Sequence, residues 1–232
     1  KAVKKDLVEH FQVNPSKIEI INPYLNQHNQ NEMKAEKIDD WKKMNDIPIS
    51  SFIVGTCGTP IWRKGPDIFL NTVKKIATKY SEENIFFIWF GGDQNTASFL
   101  DFNVELENLE LKNFVKVFPS SKELKFFYKS LDMLFCTSRE EPFGLTLFEA
   151  GLSKIPCLAF EKSGGPEEIL SDNKGIIIPY GDFSKAADEI VKIKNDKIIR
   201  EKYSNAIYNY TLSNTAEINI NKYKEIIDNF IK

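Results

Sequence analysis

Thirteen consecutive residues, Ser138-Arg139-Glu140-Glu141-Pro142-Phe143-Gly144-Leu145-Thr146-Leu147-Phe148-Glu149-Ala150, hold the side chains best placed to do chemistry in this 232-residue sequence. They follow an apolar run and open an amphipathic one. Pro142 disfavours helical backbone at Glu141, which puts that carboxylate in a loop, and Gly144 lets the backbone approach closely where a helix begins. Glu149 then lies roughly 7 Å along the helix, its side chain leaning back towards the N-terminus. Two carboxylates thus flank a helix N-terminus, whose unpaired N–H groups and positive dipole end attract an anion. A ligand with a diphosphate in its middle and hydroxyl-bearing sugars on either side matches this layout, each Glu accepting hydrogen bonds from one sugar. A nucleotide-sugar has that form. Glu pairs at this spacing are common and Glu is usually solvated, so two idle carboxylates are the competing reading and the surrounding string carries the argument.

Elements elsewhere must place these residues. Short apolar, β-rich runs at 51–57, 85–90, 114–118, 133–136, 157–160 and 175–178 read as strands. Helical spacing occupies 67–79, 98–111, 121–131, 144–153, 166–170 and 184–193, as in the stripe Phe69, Val73, Ile76 and Tyr80. Strand then helix, repeated with near-continuous apolar strands, predicts a three-layer α/β/α Rossmann-like domain around a parallel sheet of about six strands. Ligands in such sheets bind beyond the strands' carboxyl ends. The first fifty residues differ: 2–11 reads as a helix, 17–21 as a short strand, 22–30 as a Pro/Asn-rich connection and 32–44 as a polar helix. Beyond Asp196 the chain reads as helical, with a break near Ser213-Asn214.

Composition narrows the function classes. Lys and Arg number 31 against 33 Asp and Glu, a formal charge of −2, which gives no electrostatic case for a nucleic-acid partner. The longest apolar run, residues 85–90, falls far short of the roughly 18–20 residues of a membrane span, and no signal-peptide core opens the chain. We therefore expect a soluble, cytoplasmic domain. Cys57, Cys136 and Cys157 are odd in number and lack C-x-x-C spacing, as free buried thiols would be. His10 and His28 lie far from every glycine-rich stretch, which argues against a His-based triad or a zinc site. The sequence begins at Lys1, from which we expect a segment of a longer protein.

With these residues in view, Ser-x-x-Glu-Pro-Phe-Gly-Leu-x-x-x-Glu-Ala at 138–150 resembles the signature of the family-4 retaining glycosyltransferases of GT-B fold (glycosyl transferases group 1). Gly55-Thr56-Cys57-Gly58-Thr59-Pro60-Ile61-Trp62-Arg63-Lys64-Gly65 is similar to the family's first glycine-rich loop and its Arg-Lys-Gly. The resemblance implies that Arg63 and Lys64 neutralise the leaving diphosphate in place of a metal ion, so that no metal or other cofactor is needed. Two solvated cations ahead of a helix are the competing reading. Gly91-Gly92-Asp93, where the family usually shows Gly-x-Gly, reads as a turn rather than a ligand contact. Ser163-Gly164-Gly165-Pro166-Glu167-Glu168-Ile169 is similar to the Gly-Gly-x-x-Glu segment, with Glu168 the matching carboxylate.

The resemblance further implies roles. Arg63, Lys64 and Glu141 are the expected catalytic residues, with Glu141 on the donor sugar's hydroxyls. Gly58, Thr59, Phe118, Pro119, Phe143, Gly144, Leu145 and Glu149 are the expected donor-binding residues, with Glu149 on the ribose and the base near Phe118-Pro119-Ser120. The family often has Arg where this chain has Thr59; either Arg63 substitutes or diphosphate binding is weaker. Coverage corresponds to the C-terminal, donor-binding half of a GT-B enzyme. Residues 1–26 would be a remnant of the acceptor domain, 27–50 a linker and polar helix, 51–213 the donor domain, and 214–232 a helix packing back towards the acceptor half. The implied partners are a nucleoside-diphosphate sugar and a glycan or lipid-linked acceptor held by the other half, in polysaccharide or glycolipid synthesis, with the full-length protein peripheral at the inner membrane face. The half alone is expected to be nearly inactive. A non-catalytic nucleotide-sugar-binding subunit of a glycan-assembly complex is the alternative. No G-x-G-x-x-G occurs, which leaves a dinucleotide oxidoreductase remote.

Overall fold

A computed structural model describes residues 2–21, 34–214 and 216–231. Six strands, β1 (Phe52–Cys57), β2 (Ile85–Phe90), β3 (Val115–Phe118), β4 (Met133–Cys136), β5 (Cys157–Phe160) and β6 (Ile176–Ile178), form one parallel sheet in the order β3-β2-β1-β4-β5-β6. Each lies within one residue of the apolar run that predicted it. Helices α1 (Ala2–Glu9) and α2 (Ala35–Met44) precede the sheet. The helices α3 (Pro66–Lys79), α4 (Ala97–Asn108), α5 (Leu124–Ser130), α6 (Leu145–Leu152), α7 (Gly165–Leu170) and α8 (Phe183–Asn195) connect or follow its strands, and α9 (Lys197–Leu212) and α10 (Ala216–Ile231) close the described chain. The three-layer α/β/α architecture is the one expected. Among the described residues no helix is long and apolar enough to cross a membrane.

The sheet is buried on both faces because its strands are apolar at successive positions, and alternate residues serve opposite cores. Val54, Phe87, Trp89 and Phe135 join Phe69, Val73 and Ile76 of α3, Phe102 of α4 and Ile190 of α8 on one side. Ile53, Ile88, Phe90 and Leu134 join Phe127 of α5, Phe148 of α6 and Ile207 of α9 on the other. The Phe69 ring meets Phe87 and Trp89 edge-on at 5.7 and 5.2 Å, a geometry worth about 0.5–1.5 kcal/mol per pair beyond area burial.

Local chemistry sets the ends of the helices. The Asp182 and Asp196 carboxylates accept from the Lys185 and Ile199 N–H groups, capping α8 and α9. Several helices are shorter than their spacing suggests, and two show why. The region after α4 turns at Glu110 in the left-handed region (φ 59°), so the helix stops at Asn108 rather than 111. The Ser121 hydroxyl accepts from the Glu123 N–H in a turn, which delays α5 to Leu124.

The expected strand at 17–21 is absent. Residues Pro15–Lys17 form a 3-10 turn capped by the Asn14 side chain, and 18–21 take no regular structure. A strand exists through its ladder partners, and the Ile-rich pattern found none here. The segment is tied instead to α1, where Lys4 Nζ donates to the Ile18 carbonyl at 2.7 Å. The connection expected at 22–30, and the start of the polar helix expected at 32–44, lie outside the described residues. That helix, α2, docks through Trp41, 2% exposed, whose indole N–H donates to Glu123 and whose ring stacks on Phe118 and Phe126.

Chain connection reverses direction across the sheet at β1 and β4. The loops leaving these neighbouring strands diverge to opposite faces, which opens a crevice at their carboxyl ends.

Candidate functional site

The loop after β1 and the loop after β4 meet at that crevice. Trp62–Lys64 is a single 3-10 turn closed by Gly65 in the left-handed region (φ 66°). Backbone contacts from the opposite loop fix this turn: the Thr137 hydroxyl donates to the Lys64 carbonyl at 2.7 Å, and the Arg139 N–H to the Arg63 carbonyl at 2.9 Å. A Cβ on Gly65 would stand 2.2 Å from the Thr137 carbonyl oxygen, so no side chain fits there. Arg139 adds a clamp. Its guanidinium donates to the Trp62 carbonyl at 2.8 Å, binds both Asp67 oxygens at 2.8 and 2.6 Å, and lies 5.0 Å over the Trp62 ring. Hydrogen bonds from Arg139 hold the Asp67 carboxyl below its ordinary range.

The result of this stapling is that residues 77 positions apart face each other. Lys64 Nζ pairs with Glu141 Oε2, both side chains largely buried at 16% and 14% exposure. Arg63 Nη1 stands 3.8 Å from the same carboxylate oxygen and donates to the Glu140 carbonyl at 2.9 Å. The Glu141 backbone is fixed by the loop after β5, its N–H donating to Ser163 O at 2.9 Å and its carbonyl accepting from the Gly165 N–H at 2.7 Å. Beside it, Gly144 in the left-handed region (φ 99°) begins α6, whose first N–H groups have no partner within the helix. Leu145 is exposed, while the Phe143 ring stacks on Phe148 at 5.0 Å.

Glu149, one turn further along α6, enters a different cluster. Its Oε2 accepts from the hydroxyl of Tyr128 on α5, and the thiol of Cys57, the last residue of β1, sits against that hydroxyl. Burial pushes the Glu149 carboxyl above its ordinary value, and the Tyr128 hydrogen bond opposes this. Burial, and then the Glu149 charge, push the Cys57 thiol up to about 12, so it stays protonated and unreactive. Tyr128 donates to the carboxylate form of Glu149, and removing that bond favours the protonated form. Tyr128→Phe should therefore raise the midpoint of the Glu149 titration followed by carbon NMR of its carboxyl; an unchanged or lower midpoint would contradict this account.

The loops after β2 and β3 complete the row. Gly91 (φ 129°) lies against the Gly58 backbone, where a Cβ would come within 2.9 Å. The Gly92 N–H donates to the Ser120 hydroxyl at 3.0 Å. Thr59, Gly92, Asp93, Gln94, Asn95, Pro119 and Ser120 line an open cleft of about 340 Å³. Asp93 shapes its rim by accepting from the Asn95 N–H at 2.9 Å. The Phe118 ring is not in this cleft: it is turned into the core between Trp41 and Phe90, at 5.2 and 5.9 Å. A second cavity of about 330 Å³ lies between α1 with residues 18–21 and the Pro142-Phe143 loop, with Gly165 and Glu168 on its wall.

The structure thus brings Gly58, Thr59, Arg63, Lys64, Pro119, Glu141, Phe143, Gly144, Leu145 and Glu149 to one edge of the sheet, in the loops and first turns beyond its carboxyl ends. Sequence reasoning gave no role to Arg139, Tyr128, Gln94 or Asn95, and read Asp93 with its two glycines as a turn, as found. Arg139 stood inside the informative stretch, and the three rim residues followed two glycines at a strand end. Tyr128 gave no signal apart from its core spacing. Among the described residues no three His, Cys, Asp or Glu side chains gather where they could hold one metal ion.

The family model described as glycosyl transferases group 1 matches residues 37–210. The chain is 24% identical over 219 residues to the D-inositol 3-phosphate glycosyltransferase of Corynebacterium diphtheriae, covering 91% of this chain and 51% of that protein. Its fold matches a glycosyltransferase from Rickettsia africae with a TM-score of 0.87 at 20% identity, over 99% of this chain and 62% of the other. It also matches Anabaena HepE in complex with UDP-glucose, with a TM-score of 0.80 at 17% identity, over 93% and 58% of the two chains. The chain spans about half the length of the curated relatives it matches.

Proposed function

Because the chain belongs to the glycosyl transferases group 1 family, we propose that it is the donor-binding half of an enzyme that transfers a sugar from a nucleoside-diphosphate sugar to a hydroxyl acceptor with retention at the anomeric carbon. The observation that carries this reading is the convergence of Lys64, Arg63 and Glu141 at the crevice between β1 and β4, in line with the cleft beyond β2 and β3. Strand order supports one direction for the ligand. The donor sugar lies by Glu141 after β4, the diphosphate by Arg63, Lys64 and the Gly58-Thr59 loop after β1, and the base in the cleft of Thr59, Gly92 and Pro119. Glu149, held by Tyr128 beneath the end of β1, accepts from the ribose between them. Backbone N–H groups of Phe143, Gly144 and Leu145 meet the donor sugar and the adjacent phosphate.

In the reaction the bond from the anomeric carbon to the leaving phosphate oxygen breaks, its electrons pass to the diphosphate, and the acceptor oxygen bonds to the same face of the sugar. Positive charge builds on the sugar, as in glycoside hydrolysis, and negative charge on the diphosphate. Lys64, Arg63 and the α6 N-terminus oppose the growing negative charge, so their stabilisation is larger in the transition state than in the bound donor. These cations make a metal ion unnecessary. Glu141 holds donor-sugar hydroxyls rather than attacking carbon.

The acceptor, a glycan or lipid-linked glycan, is held by the other half, and the full-length protein works in polysaccharide or glycolipid synthesis at the cytoplasmic side of the membrane. The full-length protein, given a range of nucleoside-diphosphate sugars and acceptors, should yield a glycoside whose anomeric proton coupling matches that of the donor. An inverted product would overturn the retaining assignment, and binding without transfer by any donor would favour a non-catalytic subunit.

A further inference from the structure

We propose that Glu141 acts as an electrostatic latch on Lys64, keeping the cation from bare phosphates and releasing it to a ligand that brings sugar hydroxyls together with a diphosphate. This rests on the assignment of Lys64 to the diphosphate. The pair differs from a chance meeting of surface side chains. Both side chains are largely buried, and both backbones are pinned, Lys64 through Thr137 and Glu141 through Ser163 and Gly165. The Lys64 stem also lies against Gly58, where an added Cβ would come within 3.0 Å of Cε, so the glycine leaves room for the stem.

Charge counting shows what the latch does. Arg63, 40% exposed and 3.8 Å from the carboxylate, and Lys64 together carry two positive charges, and Glu141 cancels one. A bare diphosphate that draws Lys64 away leaves a poorly solvated carboxylate facing a polyanion, which costs both the broken pair and a like-charge repulsion. Donor-sugar hydroxyls remove that cost, because they donate to the Glu141 oxygens that Lys64 vacates. Discrimination then comes from a repulsive element set against the wrong ligand as much as from contacts with the right one. After transfer the remaining nucleoside diphosphate lacks those hydroxyls, and re-formation of the pair favours its release.

The test is calorimetric titration of this chain with inorganic pyrophosphate at fixed ionic strength. Glu141→Gln, and Glu141→Ala as a second variant, should bind pyrophosphate about tenfold more tightly than the wild type or better. Lys64→Ala should bind it more weakly, and Lys64→Ala combined with Glu141→Gln should show a clearly smaller gain over Lys64→Ala than Glu141→Gln shows over the wild type, since only the repulsion and the release of Arg63 remain. Glu140→Gln, which removes the same charge one residue away at an exposed position, should stay within about twofold. If the Glu141 variants gain nothing while Lys64→Ala weakens binding, the latch is overturned and Lys64 remains a diphosphate ligand. A gain of equal size without Lys64 also overturns the latch, since it would be a general charge effect. If pyrophosphate binds to none of these proteins, the latch and the role of Lys64 fall together.

Discussion

On the proposed mechanism, Lys64→Ala in the full-length protein should lower donor-dependent turnover by about 10²–10³, the usual cost of removing one preorganised group that faces developing charge. The loss should fall mainly on kcat, because the diphosphate acquires its extra negative charge as the sugar departs. The fold should survive. The turn bearing Lys64 is held through its carbonyl, by Thr137 and by the Arg139 clamp next to it, and none of these bonds uses the ammonium. Lys64→Arg should recover little, since the stem passes close against Gly58 and a forked guanidinium is wider than an ammonium. Steady-state rates for the two variants, with circular dichroism to confirm folding, check this. Near wild-type kcat for Lys64→Ala would remove the central cation from the mechanism.

Glu149→Ala should cut nucleotide affinity by roughly 10- to 100-fold, as expected for hydrogen bonds to a charged acceptor in a partly buried site. It should do so with little loss of stability. Burial raises the Glu149 carboxyl above its unfolded value, so keeping it ionised opposes folding: the penalty appears as pH rises past the unfolded carboxylate value and is complete above the folded one. At neutral pH the variant sheds this penalty, which offsets the hydroxyl of Tyr128 left without its carboxylate partner. The thermal midpoint should stay within about 3 °C of the wild type. A group that costs stability and supports binding marks a ligand site. If melting fell sharply along with affinity, Glu149 would be a structural residue and the ribose assignment would lose its support.

The sheet was legible because a strand buried on both faces must be apolar throughout, and runs such as Ile85-Phe86-Phe87-Ile88-Trp89-Phe90 have no other economical reading. The helices expected from spacing at 67–79 and 184–193 start within one residue of α3 and α8, whose first turns are opened by Gly65-Pro66 and capped by Asp182. The strand expected at 17–21 failed for the complementary reason, since local propensity cannot supply a ladder partner. In the candidate site, Lys64 and Glu141 were each singled out, but nothing in their spacing pairs them. Their meeting follows from β1 and β4 being neighbours, a property of strand order. Tyr128 reads as one more aromatic on a core-facing helix, and only the packing of α5 against the end of β1 turns its hydroxyl towards Glu149. Phe118, which the resemblance placed among the donor-binding residues, has its ring drawn into the core by Trp41, from a helix 77 residues earlier, a contact that no local spacing announces.

On the proposed reading, the carboxyl ends of β1 to β4 form a donor site that binds a nucleoside diphosphate without metal. Calorimetric titration tests it most directly, with this chain against UDP, GDP, ADP, CMP and their common sugar conjugates in the presence of a chelator, and with Glu149→Ala alongside. The account predicts that one diphosphate nucleotide and its sugar conjugate bind, and that both are lost or strongly weakened in the variant. Binding that is indifferent to Glu149→Ala, or no diphosphate nucleotide bound by either this chain or the full-length protein, would contradict it.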